Sequence, residues 1–211
     1  VNPVALLLDF DGVILESNEA RTEGFRRLFA GHEASAVAEL LRYHRENGGL
    51  SRYRKIEHFH RRILGREIAP EERDRLAREF SRHVVDLVLA SPFVPGARAL
   101  IEGARVPLVV VSGSDQDELR SICSRLGIAR FFAEILGSPR SKGELIADLL
   151  RRTGWDRSRL AFVGDSRNDL DAAREHGIPF IARAPGGADW VPAGTARVDD
   201  LRAVELALAA L

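Results

Sequence analysis

The chain has 211 residues, 45% hydrophobic and 29% charged, with Lys+Arg and Asp+Glu both at 31 and a formal net charge of zero. That length supports one good core, or a core with a smaller insert, and the charge balance leaves no basic footprint for nucleic acid and no polybasic anchor for a membrane. No apolar run approaches transmembrane length, the first residues lack a signal-peptide pattern, and the single cysteine, Cys123, cannot pair within the chain, which together point to a reducing, cytoplasmic setting.

Residues 4–10 form a short continuous apolar run, the pattern of a strand buried on both faces in a parallel sheet. The next such run is 106–111. Between them, 19–30, 33–46, 52–64 and 70–90 carry spaced apolar residues among charges, which predicts four helices, with breaks at Gly31, Gly48-Gly49, Gly65 and Pro70. After Pro95 the pattern alternates: helix 97–103, strand 106–111, helix 115–126, strand 133–136, helix 142–152, strand 160–163, helix 168–176, strand 179–182, and a terminal helix over 203–211. Strand–helix alternation predicts a parallel sheet covered by helices on both faces. The expected organisation is an α/β core domain, 1–16 and 91–211, interrupted by a helical insert at 17–90.

Chemistry-bearing residues fall where strands end. Asp9-Phe10-Asp11-Gly12 follows the first strand, and acids two residues apart can point to the same side. Close carboxylates need a cation or a shared proton, and ligands of open α/β sheets collect at this edge. An EF-hand loop does not fit: Val13 and Ala20 stand where that loop needs an oxygen ligand and its final Glu. Ser112-Gly113-Ser114 follows the second strand and offers a hydroxyl and backbone N–H groups for a phosphate. Lys142 opens a predicted helix, an end where the dipole prefers negative charge, so it is useful there if it faces an anion. Gly164-Asp165-Ser166-Arg167-Asn168-Asp169 follows the 160–163 strand and brings Asp165 and Asp169 to the same edge. Only Lys55 and Lys142 are lysines among the basic residues; a lysine retained in such a chain marks a place suited to a compact ammonium.

These four motifs, in this order, resemble the haloacid dehalogenase superfamily of hydrolases and phosphotransferases. The resemblance implies a Rossmann-like parallel core with an inserted helical C1 cap. Val163–Asp169 resembles phosphoglycolate phosphatases, and Gly49-Leu50-Ser51-Arg52 is similar to a stretch of β-phosphoglucomutases in which the arginine contacts a distal phosphate. The implied roles are Asp9 as nucleophile forming an aspartyl-phosphate, and Asp11 as acid and base. Mg²⁺ would be held by Asp9, the Asp11 backbone carbonyl and Asp165, with Asp169 orienting metal-bound water or Lys142. Ser112, Gly113 and Lys142 would bind phosphate, and Arg52 the rest of the substrate. One departure is that Gly143, not the proline of many relatives, follows Lys142.

The expected function is therefore Mg²⁺-dependent hydrolysis of a small phosphorylated metabolite by a monomer or homodimer. A β-phosphoglucomutase is the alternative within the superfamily. Asp11 argues against a dehalogenase and against a phosphonoacetaldehyde hydrolase, although Lys55 would suit the latter. From other classes, a signalling receiver domain or an inactive binding module would also use such a fold, but receivers carry no insert after the first strand and no core motif residue is missing here. Cys123 is expected in the core. His58 and His60 do not share a helix face, and His32, His44, His83 and His176 are expected at the surface. Trp155 and Trp190 are expected as packing or surface residues near the sheet edge.

Overall fold

A computed structural model describes residues 3–210. Six parallel strands, β1 (Ala5–Leu8), β2 (Leu108–Asp115), β3 (Phe132–Ser138), β4 (Leu160–Gly164), β5 (Phe180–Arg183) and β6 (Ala196–Val198), form one sheet in the order β3-β2-β1-β4-β5-β6. The first strand is thus central, and the chain reverses direction across the sheet between β1 and β4. That reversal opens a crevice at the carboxyl ends of the strands.

Side chains alternate across the sheet because successive residues of a strand face opposite ways. Leu6, Leu8, Leu108, Val110, Ala161 and Val163 enter one core; Ala5, Leu7, Val109, Val111, Leu160 and Phe162 enter the other. Both faces are dry, which explains why the strands read as unbroken apolar runs. Helices α7 (Lys142–Thr153) and α8 (Arg167–Glu175) cover the second face, while α5 (Ala97–Gly103), α6 (Gln116–Arg125) and α9 (Val204–Ala210) lie on the first.

Between β1 and α5 the insert contributes the helices α1 (Asn18–Leu28), α2 (Ala34–Glu46), α3 (Arg52–His58) and α4 (Pro70–Ala90). Pro70 sits at the first helical position of α4, where its missing N–H costs nothing. The two segments joining this insert to the sheet hydrogen-bond to each other: Glu16 N donates to Pro92 O at 2.9 Å and Val94 N to Ile14 O at 3.0 Å. Val13, Ile14 and Leu15 carry the first core continuously into Phe25, Phe80 and Val84 of the insert.

The expected elements are found with three differences. The segment 52–64 is not one α-helix: after His58 it widens into a π-turn at Phe59–Ile63. The wider turn buries the consecutive residues Phe59 and His60 together. Strand β2 runs on through Ser112-Gly113-Ser114 to Asp115, with a register irregularity against β3, so the motif expected in a loop lies on a bent strand end. Strand β6 has no apolar signature of its own, because only Val198 is buried. The expected C-terminal helix is present over Val204–Ala210, and Leu211 lies outside the described residues, as do Val1 and Asn2 of the first expected core segment.

Helices α1 and α4 pack closely because Gly24 leaves no side chain between them. A Cβ there would stand 2.1 Å from Val84 Cγ1 and 2.9 Å from Phe80 Cε2. Gly24→Ala should therefore destabilise the protein by about 1–3 kcal/mol despite alanine's better helix propensity. Gly31→Ala, where nothing lies within 4 Å, should change stability by less than about 0.5 kcal/mol. Urea denaturation of the two variants checks this, and equal stabilities would contradict the packing argument.

Candidate active site

The four motifs meet at the carboxyl edge of the sheet, around β1, β2 and β4. Asp9 leaves β1 with its backbone N bonded to Val163 O at 3.0 Å, and its Oδ1 accepts from Phe10 N at 2.7 Å. Gly12 then turns the chain with φ +74°, and a Cβ on it would lie 1.9 Å from Asp165 Oδ2. Only glycine meets both demands. Arg183, at the end of β5, fixes this turn: its Nη1 donates to Gly12 O at 2.9 Å, and its guanidinium grips Glu16 at 2.5 and 2.9 Å.

Lys142 lies in the acidic cluster rather than in solvent. It is 3% exposed, placed by Ser141, which caps α7 in a reciprocal box with Glu144. Its Nζ contacts Asp9 Oδ2 at 2.9 Å and pairs closely with Asp169 Oδ1. The departure at Gly143 leaves the lysine in place. A Cβ at Gly143 would meet Glu175 Oε2 of α8 at 2.5 Å. Asp169 is fully buried and does two things at once: one oxygen takes Lys142, and the other caps α8 by accepting from Ser166 N at 3.1 Å and Ser166 Oγ at 2.6 Å.

Asp9, Asp165 and Asp169 each offer an oxygen within 4.8 Å of the others. Burial is the largest influence on Asp9 and Asp165, and with repulsion from Asp169 it pushes both carboxyls up, Asp165 to about 7, against the pull of Lys142. Burial alone would lower the Lys142 amine, but Asp169 and Asp9 reverse this and raise it, so it stays an ammonium. A buried set of hard oxygen donors with more negative than positive charge fits a small divalent cation such as Mg²⁺.

The side chain of Asp11 faces away from this cluster. Its Oδ1 accepts from Ser17 Oγ at 2.5 Å and Arg21 Nε at 2.9 Å, and its Oδ2 accepts from Ser114 Oγ at 2.7 Å. Burial would raise this carboxyl, but Arg21 and the two hydroxyls outweigh it and hold it below the usual range. Ser112 is buried, and its Oγ accepts from Ser114 N at 3.1 Å. Gly113 brings the insert onto the sheet: a Cβ there would lie 2.1 Å from Gly49 O.

These residues form the floor of a cavity of about 540 Å³ whose roof is the insert. Arg52 and Lys55 both line it, and both are buried. Arg52 is not free: Nη1 and Nη2 each donate to Glu118 at 2.7 Å, Nη1 also donates to Ser81 Oγ at 2.5 Å, and the guanidinium lies 4.6 Å from the Phe80 ring centre. Arg21 reaches the same Glu118 carboxylate. Burial opposes ionisation of Glu118, but the two guanidiniums hold its carboxyl far below the usual range. Lys55 instead meets His44 Nδ1 at 2.8 Å. His44 is therefore buried in the insert, not at the surface as its scattered position suggested, and His60 is buried as well.

Sequence reasoning missed Ser17, Asn18, Arg21, Ser114, Glu118 and Arg183. Asn18 Nδ2 donates to Asp165 Oδ2 at 2.7 Å, joining the first turn of α1 to the β4 motif. The nearness of Ser17 and Arg21 to Asp11 was a usable signal, because the chain leaves the Gly12 turn directly into α1. Glu118 gave none: its partners are 66 and 97 residues away. Cys123 is buried as expected, and burial pushes its thiol up to about 12, which makes it inert. Trp155 and Trp190 pack against the second core, and Trp190 also reaches the cavity wall.

The sequence matches the family described as haloacid dehalogenase-like hydrolase over residues 4–177. The chain belongs to that family. A phosphoglycolate phosphatase from Mesorhizobium japonicum is 27% identical over 193 residues, covering 84% of this chain and 81% of that protein. Among solved structures, β-phosphoglucomutase from Clostridium difficile superposes with a TM-score of 0.75 at 16% identity, covering 99% of this chain and 98% of that one. CbbY from Rhodobacter sphaeroides, in complex with xylulose-(1,5)bisphosphate, gives a TM-score of 0.71 at 23% identity, covering 94% and 95%. The expected α/β fold of this superfamily is thus found, and the chain is a hydrolase by family. Among the described residues no helix is long and apolar enough to cross a membrane.

The buried Glu118 is the only carboxylate that both Arg21 and Arg52 share among the described residues. Glu118→Ala leaves two buried guanidiniums undercompensated and should cost about 3–5 kcal/mol in urea unfolding. Glu134→Ala, which removes the half-exposed pair with Arg152, should cost less than about 1 kcal/mol. Since the folded-state Glu118 carboxyl is depressed, its contribution is complete above the unfolded value of about 4.3 and lost as pH falls through the folded one. The stability gap between wild type and Glu118→Ala should therefore be constant from pH 6 to 8 and narrow only in acid.

Proposed function

We propose that this enzyme is a Mg²⁺-dependent phosphatase that hydrolyses a small organic phosphomonoester, of the phosphoglycolate or sugar phosphate class, through an aspartyl-phosphate on Asp9. The observation that carries this reading is the buried Asp9–Lys142–Asp169 chain beside Asp165, with Asp9 and Asp165 lining the cavity under the insert. The likeness to phosphoglycolate phosphatases over 84% of the chain supports the substrate class.

In this reading Asp9 Oδ atoms stand at the strand end facing the cavity, and one attacks phosphorus while the P–O bond to the alcohol breaks. Lys142 touches Asp9 and balances charge on the transferring group, with Ser112 and the Gly113 backbone holding its oxygens. Asp9, the Asp11 carbonyl and Asp165 would hold Mg²⁺, and Asp169 keeps Lys142 in place. When bound, that ion supplies charge neutralisation on the phosphoryl oxygens. Asp11 delivers a proton to the leaving oxygen and then takes one from the water that hydrolyses the acyl-phosphate. Its contact with Arg21 favours the ionised form, so the resting carboxylate suits the second half, and the first half requires that contact to loosen when substrate arrives.

Residues 17–90 act in this proposal as a cap domain over a core of 1–16 and 91–211. Its closed position rests on the contact of Gly49 O with Gly113, and closure would keep water away from the phosphoryl group. The mutase alternative asks Arg52 for a second, dianionic phosphate. The pairing of Arg52 with Glu118 favours hydrolysis instead.

Asp9→Asn should lower Mg²⁺-dependent release of phosphate from p-nitrophenyl phosphate more than a hundredfold, with the melting temperature retained. Activity above a hundredth of wild type excludes Asp9 as nucleophile. Lys142→Arg should lose about tenfold or more in kcat/KM, about 1.4 kcal/mol, because a planar fork cannot fit between two carboxylates and a phosphate. EDTA should abolish turnover and Mg²⁺ restore it.

The closing contact has its own test. Gly113→Ala, which puts a methyl group where Gly49 O now lies, should lower kcat/KM for the natural ester more than for p-nitrophenyl phosphate. An equal loss on both would separate the insert from substrate selection.

A further inference from the structure

We propose that Lys55, together with the free edge of Arg21, takes a carboxylate at the far end of the substrate, and that Arg52 does not take it. The inference rests on the phosphatase reading above and assigns its substrate an acidic tail.

The buried charges of the cavity roof are already matched except at one point. Arg52 and Arg21 share Glu118, and Arg21 also pairs with Asp11. Two guanidiniums thus face two carboxylates. Lys55 lines the same cavity, is 3% exposed, and has no carboxylate within ion-pair distance among the described residues. Its partner is the ring of His44, whose ionisation burial and the neighbouring Lys55 oppose, and an imidazole carries no negative charge in either form, so it is no counter-ion. A lysine is rarely buried without a counter-charge, because desolvating an ammonium costs several kcal/mol. Burial lowers the Lys55 amine to about 7, against the opposite pull of Asp11, so an arriving anion would hold it as the ammonium.

A second donor is unsatisfied nearby. Arg21 Nη2 is buried and has no hydrogen-bond partner, and Arg21 also lines the cavity. Lys55 and Arg21 line the same cavity, and the Arg21 charge bears on the Lys55 amine. A carboxylate has two oxygens, one for each of these donors. Among these buried groups the surplus is a single positive charge, which matches a monoanionic carboxylate better than a phosphate dianion. Arg52, held by both nitrogens on Glu118 and by Ser81, would have to give up a buried bidentate pair to take part.

Three esters of similar size separate the possibilities: ethyl phosphate, with no second charge; 2-phosphoglycolate, with a carboxylate; and ethylene glycol bisphosphate, with a second phosphate. For wild type with Mg²⁺, kcat/KM for 2-phosphoglycolate should exceed that for ethyl phosphate by about tenfold or more, the value of one charged hydrogen bond. In Lys55→Met that ratio should collapse toward one, through KM rather than kcat, and Lys55→Arg should recover part of it. A ratio near one in wild type, or a ratio unchanged in Lys55→Met, overturns the proposal. A wild-type preference for the bisphosphate overturns the carboxylate assignment. If Lys55→Met does not fold, the unaltered protein still decides. Phosphonoacetate should inhibit p-nitrophenyl phosphate turnover with a Ki about tenfold below that of ethylphosphonate, and equal values reject the site. If no phosphate ester is hydrolysed at all, the phosphatase reading fails. Calorimetric binding of the same two phosphonates then tests Lys55 independently, with equal affinities rejecting it.

Discussion

A buried ammonium between two buried carboxylates organises the carboxyl edge of this sheet. Lys142 can be buried only because Asp9 and Asp169 face it, and those acids can approach each other only because Lys142 stands between them. Removing Lys142 would leave two carboxylates facing each other in a dry site with no counter-charge, where the penalty is several kcal/mol. The surrounding structure is arranged to hold that chain: Ser141 starts the helix that delivers Lys142, Ser166 starts the one that delivers Asp169, and Arg183 fixes the turn after Asp9. Helix caps that would elsewhere only stabilise an end are here also the positioning devices of the chemistry.

The central position of β1 explains why one site can draw on four distant segments. With β2 on one side and β4 on the other, the ends of three adjacent strands open on the same crevice, and α7 enters beside them. The insert leaves the chain at the same edge, just after Asp11 and Gly12. Its first helix therefore begins inside the site, and Ser17, Asn18 and Arg21 arrive there through local connectivity. Asp11 is consequently shared between two functions. Its backbone belongs to the floor, and its carboxylate is the anchor that the insert grips through Arg21.

Much of this arrangement was legible in the sequence, for a physical reason. Strands buried on both faces are written as apolar runs, and a carboxylate placed directly after such a run must sit at the sheet edge. Asp9, Asp11, Asp165 and Asp169 could be located that way, and Pro70 and Ala97 marked helix starts found at those residues. Three things were not legible. The π-turn after His58 answers to tertiary packing of Phe59 and His60, which local spacing does not encode. Strand β6 pairs only at the sheet edge and has one buried side chain, so it carries no period. Glu118 stands beside Asp117 in the first turn of α6, where the helix dipole alone would account for an acid. Its role depends on Arg21 and Arg52, whose positions are fixed only when the insert docks.

The division of labour between lysine and arginine follows from the same docking. Three arginines here grip a carboxylate with two nitrogens: Arg52 on Glu118, Arg183 on Glu16, and Arg152 on Glu134 while also reaching Asp148. A planar fork saturates its partner and leaves little capacity for a ligand. Both lysines of the chain are instead buried beside the cavity, each as a point charge with donors to spare. Lys142 has its charge matched by acids of the floor, while Lys55 in the roof has none to match it. That asymmetry gives the cavity a direction: a fixed cationic pole beside Asp9, and a second pole at Lys55 whose charge an entering anion would complete. A site built this way would distinguish ligands by their far end without disturbing the chain of charges at the near end. The insert could then vary its roof residues while Asp9, Lys142 and Asp169 stayed in place.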